Sequence, residues 1–152
     1  MSKEGFTLIG LIVVLGVLAL LSGIAVPAYN RWNKKASIEN DTRQIYRLLN
    51  EARSKAFTEK CACGVTWNGS KLELRCDTDN DGAIGGEPVV MSVDLKNQFS
   101  TFAPLFTKEG ISRVTGNIHA SDISAGPTYS CVQVDYTRIR MGKWDGTNCV
   151  LQ

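Results

Sequence analysis

The chain has little of what most catalytic centres are made from. Its 152 residues contain a single histidine, His119, with no nucleophile partner near it in sequence. The serines lack the strand–turn–helix context of a nucleophile elbow, and no glycine-rich phosphate loop is present. None of the five cysteines forms a CxxC pair, so the ligand spacing of a zinc site is missing. Net charge is small as well: 17 basic and 15 acidic residues leave +2. Bulk electrostatics therefore argues for neither nucleic acid nor an anionic surface as partner. Internal repeats and low-complexity tracts are also absent.

The most informative absence is local. From Phe6 to Ala28 no side chain is ionisable. As a helix this stretch would reach roughly 35 Å at 1.5 Å per residue, enough for a bilayer core of about 30 Å. The rest of the chain is mixed and polar, which divides it into one apolar segment and one domain of sufficient length for a core. All five cysteines, Cys61, Cys63, Cys76, Cys131 and Cys149, lie beyond the apolar segment. Such density points to an oxidising compartment, and the odd number leaves one thiol unpaired within the chain.

Three readings compete for the N-terminus. A secretory signal wants a basic start and a small-x-small site after its apolar core. Gly23-Ile24-Ala25 supplies the second weakly, but Lys3 is offset by Glu4. A plain anchor helix is the second reading. Its orientation is not given by charge, since Lys3 precedes the segment while Arg31, Lys34 and Lys35 follow it. The third rests on the short leader Met-Ser-Lys-Glu-Gly5, followed by Phe6-Thr7-Leu8-Ile9 and an unbroken apolar run. This pattern resembles the class III leader of type IV pilins and pseudopilins.

The resemblance implies cleavage after Gly5 by a prepilin peptidase and N-methylation of Phe6. It implies assembly with other pilin or pseudopilin subunits, on an inner-membrane platform, into a pseudopilus or a cell-surface pilus. Pro27 matches the proline that kinks the family's helix. It removes one helical hydrogen bond, and with Gly16 and Gly23 it makes this part of the helix easy to bend. Gly10 departs from the pattern: the family usually carries a glutamate there, thought to pair with a neighbouring subunit's N-terminal amine. A carboxylate buried in such a place needs a partner, so its loss removes both a cost and a means of setting register. The departure suggests a minor subunit or a filament that manages without that contact.

Beyond Tyr29 the sequence turns amphipathic. Ile38, Ile45, Leu48, Leu49, Ala52 and Ala56 fall on one helical stripe, with Arg43, Arg47, Glu51 and Lys55 opposite. One helix from about 6 to 59 is therefore predicted: a membrane or filament-core half over 6–28 and an amphipathic half over 29–59. The leader occupies 1–5 and a disulfide-stapled antiparallel β domain 60–152. The fold class is α+β, a long N-terminal helix on antiparallel sheet.

Two alternating runs, 61–67 and 71–76, flank Asn68-Gly69-Ser70 and predict a β-hairpin. An Asn-Gly turn pairs Cys61 with Cys76 and is preferred. A Gly-Ser turn pairs Cys63 with Cys76 instead. Both registers place Val65, Trp67, Leu72 and Leu74 on one face. Further strands are predicted over 89–95, 112–118, 130–136 and 138–143, with Cys131 and Cys149 bracketing the last hairpin and able to staple it.

Asp77-Thr-Asp79-Asn-Asp81-Gly82 reproduces the first half of a calcium loop, with carboxylates at alternate positions before a glycine. The twelfth position, where a bidentate glutamate belongs, is Pro88, and Glu87 stands one place early. The plainer alternative is a polar turn whose Asp and Asn residues serve turn chemistry. Calcium at Asp77, Asp79, Asp81 and Glu87 would order a loop; no cofactor is otherwise required.

Three internal stretches extend the resemblance over nearly the whole chain: Leu49 to Ala56, the Asp-rich loop through Gly85-Gly86-Glu87-Pro88, and Cys131 to Cys149. They look like the GspH/FimT branch of minor pseudopilins and pilins, found in type II secretion pseudopili or type IV pili. Some FimT-type members bind DNA through a C-terminal Gly-Arg-x-Arg motif. Arg138 and Arg140 match its arginines, Thr137 replaces its glycine, and Lys143 adds a third positive charge against Asp135 and Asp145. Three phosphate contacts would give weak, salt-sensitive binding. The alternative is a solvated strand face alternating with Ile139 and Met141.

Overall fold

A computed structural model describes residues 8–151, with the side chains of Leu21, Ser22, Ile24 and Ala25 outside that description. Gly5 and Phe6, the predicted processing site, also lie outside the described residues. One helix, α1, runs Leu8–Glu59. The chain divides into two units, one ending at Lys34 and one beginning at Lys35, and α1 contributes to both.

In the first unit α1 stands without covering partners among the described residues. Ten large apolar side chains between Leu8 and Leu20 are exposed, from 46% at Val14 to 75% at Leu20. Pro27 lies inside the helix without ending it. Its missing N–H leaves the carbonyl four residues back without a helical donor, and its ring crowds that carbonyl. The residue there is Gly23, where a Cβ would meet only open space. Among the described residues no helix is long and apolar enough to cross a membrane. The half over 6–28 predicted to span a membrane lies partly outside the described residues.

In the second unit the predicted stripe is the core. Ile38, Ile45, Leu49, Ala52 and Ala56 are fully buried and Leu48 nearly so. They pack with Val65, Leu72, Leu74 and Phe106 from one sheet and Ile118, Val132 and Val134 from another. At roughly 1.5–3 kcal/mol for each fully buried large aliphatic side chain, this shared core is the main force joining helix to sheets. Past Glu59 the chain leaves the helix through Lys60, at φ 57°, the left-handed conformation common just beyond helix ends.

Among the described residues the β domain holds two four-stranded antiparallel sheets. The strands are β1 (Cys63–Asn68), β2 (Lys71–Cys76), β3 (Val89–Asp94), β4 (Leu105–Phe106), β5 (Gly116–His119), β6 (Cys131–Val134), β7 (Ile139–Trp144) and β8 (Cys149–Leu151). The first sheet is ordered β3-β2-β1-β4 and the second β5-β6-β7-β8. Short bridges, Phe99 to Ala120 and Phe106 to Ser112, link segments between them. The strand expected over 112–118 is shorter: Ser112 makes only that bridge and turns its hydroxyl to the Val114 carbonyl at 2.7 Å, so pairing starts at Gly116.

The hairpin takes the Gly-Ser register. Asn68 faces Lys71, Trp67 faces Leu72, Val65 faces Leu74 and Cys63 faces Cys76. Only Gly69 of the turn adopts positive φ, 62°, the pattern of a II′ turn, whereas the Asn-Gly turn would need Asn68 there too. The pairing of Cys61 with Cys76 is thereby corrected: Cys63 bonds Cys76 and Cys61 is the free thiol. Cys131 and Cys149 are joined, closing the β6–β8 end of the second sheet.

Candidate functional site

Three groups of side chains bear on function: the bare apolar helix, the loop between β2 and β3, and the C-terminal strands. On the helix, Gly10 is half-buried and Gly16 and Pro27 are exposed. Gly16 faces open space. No chemistry attaches to these positions; what they offer is surface.

The 77–88 loop starts directly after Cys76, and its first amide, Asp77 N, donates to the Ala62 carbonyl at 2.8 Å. Asp77 is buried, 4% exposed. Its Oδ2 accepts from Gly82 N at 3.0 Å, while Oδ1 is buried without a partner. Gly82 reaches back to it at φ 87°, which a side chain there would oppose. At the far end Glu87 accepts from Thr78 twice, from N at 3.2 Å and from the hydroxyl at 2.6 Å. The Thr78 hydroxyl is the main reason that the Glu87 carboxyl sits below its usual range. Asp79 accepts from Asp81 N at 3.1 Å. That amide lowers its pKa, but burial and the neighbouring carboxylates outweigh it, and the net shift is upward.

The loop brings together one carboxylate oxygen each from Asp77, Asp79 and Glu87, all within 4.8 Å of one another. Asp81, also expected as a ligand, is not part of this trio; it is exposed, and its Oδ1 accepts from Ala83 N at 2.7 Å. Glu87, expected one place early in the loop, is part of the trio. A cleft of about 310 Å³ opens here, lined by Thr78, Asp79, Gly86 and Glu87 among others. The adjacent Arg75 does not neutralise the trio: its guanidinium bonds the Glu87 carbonyl and the Glu73 carboxylate.

The predicted basic cluster does not converge. In β7, Arg140 faces Gln133 while Met141 faces Val132, so strand alternation puts Lys143 on the face of Ile139 and Met141, opposite Arg140. Arg140 is also held by Asp135 at 2.8 Å, and it keeps the Asp135 carboxyl below its usual range. Arg138 is exposed in the turn before β7. The same outer face carries a contact that sequence reasoning missed, His119 stacked on Trp144 with ring centres 3.8 Å apart. Burial there pushes the His119 pKa down.

A second missed feature is Asp41, fully buried on the helix stripe. Its Oδ2 accepts from Lys96 N and Asn97 N, both at 2.9 Å, and from Asn97 Nδ2 at 2.8 Å. The signal was present: Asp41 sits between Ile38 and Ile45 at core spacing, and a carboxylate in that phase must find donors.

No family model matches the sequence. The chain is similar to fimbrial proteins of Neisseria meningitidis, at 30% identity over 95 residues for serogroup B and over 97 for serogroup A. Each match covers 62% of this chain, and the chain spans about half, 51%, of those proteins' length. It is 50% identical over 36 residues to the prepilin peptidase-dependent protein D of Escherichia coli K12, covering 24% of this chain and 25% of that protein. Its fold resembles the type IV minor pilin FimU of Pseudomonas aeruginosa at a TM-score of 0.55 and 14% identity, over 74% of this chain and 92% of that one. The chain is thus similar in sequence to fimbrial proteins over part of their length, and it has the fold of a type IV pilin.

Proposed function

We propose that this chain is a structural subunit, and a minor one, of a type IV pilus-like filament or type II secretion pseudopilus. The observation that carries this reading is the row of exposed apolar side chains from Leu8 to Leu20. A surface of that kind, contiguous and without charge, demands a bilayer or the helices of other subunits. Both serve in turn. The helix first holds the chain in the inner membrane, with the β domain in the periplasm. After cleavage following Gly5 and methylation of Phe6, it transfers into the filament core, where apolar helices bundle. Pro27 and Gly23 give α1 a bending point for that transfer.

The minor role is supported by Gly10, which withholds the carboxylate that could set register on a neighbour's amine, and by the fold shared with a minor pilin. DNA uptake is the less favoured role, since Arg140 already pairs with Asp135 and Lys143 faces the other way.

Mass spectrometry of the chain recovered from sheared filaments tests the proposal. The expected product begins at methylated Phe6 and is scarce relative to the principal subunit. A chain beginning elsewhere, or one repeating along the whole filament, overturns it. Val13→Lys, which places a charge in the middle of the apolar face, is expected to abolish incorporation.

A further inference from the structure

We propose that the loop between β2 and β3 is a calcium site built on Asp77, Asp79 and Glu87. Such a site is independent of the filament reading, and two observations carry it. The first is the meeting of three carboxylate oxygens from three different positions, all within 4.8 Å. Calcium binds oxygen at about 2.3–2.6 Å, so oxygens sharing one ion lie no more than roughly 5 Å apart. Magnesium, at about 2.0–2.1 Å, demands a near-ideal octahedron that carboxylates from a loop of this kind suit less well.

The second observation concerns burial and hydrogen bonding rather than spacing. Asp77 is more than nine-tenths buried, and its Oδ1 has no hydrogen-bond partner. A buried, unpartnered carboxylate oxygen is costly, and the chain has not spent its nearby donors on it. Gly82 N goes to Oδ2, both Thr78 donors go to Glu87, and the Arg75 guanidinium is turned to Glu73 and a carbonyl. A divalent cation supplies what is missing. It satisfies Asp77 Oδ1 and neutralises three charges that otherwise repel one another.

The site would tie the start of the loop, fixed by the Cys63–Cys76 bond, to its end at Glu87, just before β3. β3 is an edge strand whose Val89, Val90 and Met91 are each about 45% exposed. Calcium therefore orders an exposed, apolar sheet edge. The ion is expected to bind at the affinity of extracellular modules, a Kd of about 10⁻⁴–10⁻³ M.

Isothermal titration of the full chain in detergent with calcium chloride, then with magnesium chloride, tests the inference, together with thermal melts with and without chelator. Calcium should bind one-to-one, magnesium at least tenfold more weakly, and chelator should lower the melting temperature. Asp79→Asn changes an exposed side chain and should leave the fold intact while weakening calcium at least tenfold. Asp77→Asn should do the same or more. No binding heat and an unchanged melt at about 10 mM calcium overturn the proposal. Equal binding of magnesium, or unaltered affinity in Asp79→Asn, overturns it as well.

Discussion

Asp41 and Asn97 are joined twice: one carboxylate oxygen on the helix accepts both the main-chain amide and the side-chain amide of Asn97, at 2.9 and 2.8 Å. With Lys96 N as a third donor, the oxygen anchors the turn after β3 to the middle of the helix's core stripe. Such a carboxylate is stable in an apolar setting only because its donors are fixed. Asp41→Ala leaves those amides without an acceptor and opens a void, at a cost of about 2–4 kcal/mol. Asp41→Asn keeps an acceptor of the same shape and should lose about half as much. Thermal unfolding of the full chain in detergent checks both. Equal loss in the two variants would mean that charge, not the accepted hydrogen bonds, holds the turn.

The three sulfurs near the first hairpin lead to a second prediction. Cys61 Sγ lies 3.7 Å from Cys63 Sγ, yet Cys63 is bonded to Cys76. Burial, with Glu59 beside it, pushes the Cys61 thiol pKa up, so it is a slow nucleophile at neutral pH. Alkylation of unreduced, denatured protein should label Cys61 alone, and peptide mapping should recover Cys63–Cys76 and Cys131–Cys149. Cys61→Ser should alter stability by less than about 0.5 kcal/mol. Cys61→Ser with Cys76→Ser should cost about 3 kcal/mol by loop-entropy reasoning. The double variant prevents Cys61 from replacing Cys76 as the partner of Cys63.

Much of this arrangement was legible in the sequence, and the parts that were not share a cause. Ile38 through Ala56 announce a helix face because helical periodicity is a local property. Val65, Trp67, Leu72 and Leu74 do the same for the hairpin face, whichever turn is chosen. What periodicity cannot decide is a choice between two registers that both satisfy it. Cys61 or Cys63 depends on whether Asn68 accepts positive φ, an energy difference too small to read from composition. Long-range placements were hidden more deeply. β4 is two residues long and exists because Phe106 packs in the core opposite Cys63. Arg140 looked available in sequence and is engaged by Asp135, across a turn whose tightness no pattern specified.

Acid should destabilise the β domain in two stages. His119 has a folded pKa below its ordinary 6.5 because of burial. The unfolded chain therefore takes up that proton first, and stability falls as pH drops through about 6.5. Glu73 is held below its ordinary 4.5 chiefly by Arg75, and Glu87 chiefly by Thr78. Asp135 is likewise held below 3.8 by Arg140. These depressed carboxylates contribute stability that is present above their ordinary values and lost as pH falls through the lower folded ones. Urea midpoints between about pH 3 and 8 should show a shallow step near 6.5 and a steeper fall below 4.5. His119→Phe keeps a ring on Trp144 and should erase the upper step while leaving the lower one. Persistence of the upper step in that variant would assign it to another group.

The Asp135–Arg140 pair also decides how the C-terminal arginines behave toward DNA. The guanidinium and carboxylate lie 2.8 Å apart on a partly exposed surface, where such a pair contributes at most about 1 kcal/mol to stability. Its larger effect is on availability, because a phosphate must displace Asp135 to reach Arg140, and Lys143 lies on the opposite strand face. Full-length chain in detergent should therefore give no gel retardation of duplex DNA at about 0.15 M salt. Asp135→Asn frees Arg140 and removes a repelling charge, so any binding that emerges at low salt should be stronger in that variant. Its salt slope should reflect about two phosphate contacts, and Arg138→Ala with Arg140→Ala should abolish it. Retardation of the unaltered chain at that salt, with a slope of three or more, would show that the arginines are already free. The outer face of the second sheet would then have to be assigned to DNA rather than to its own ion pair.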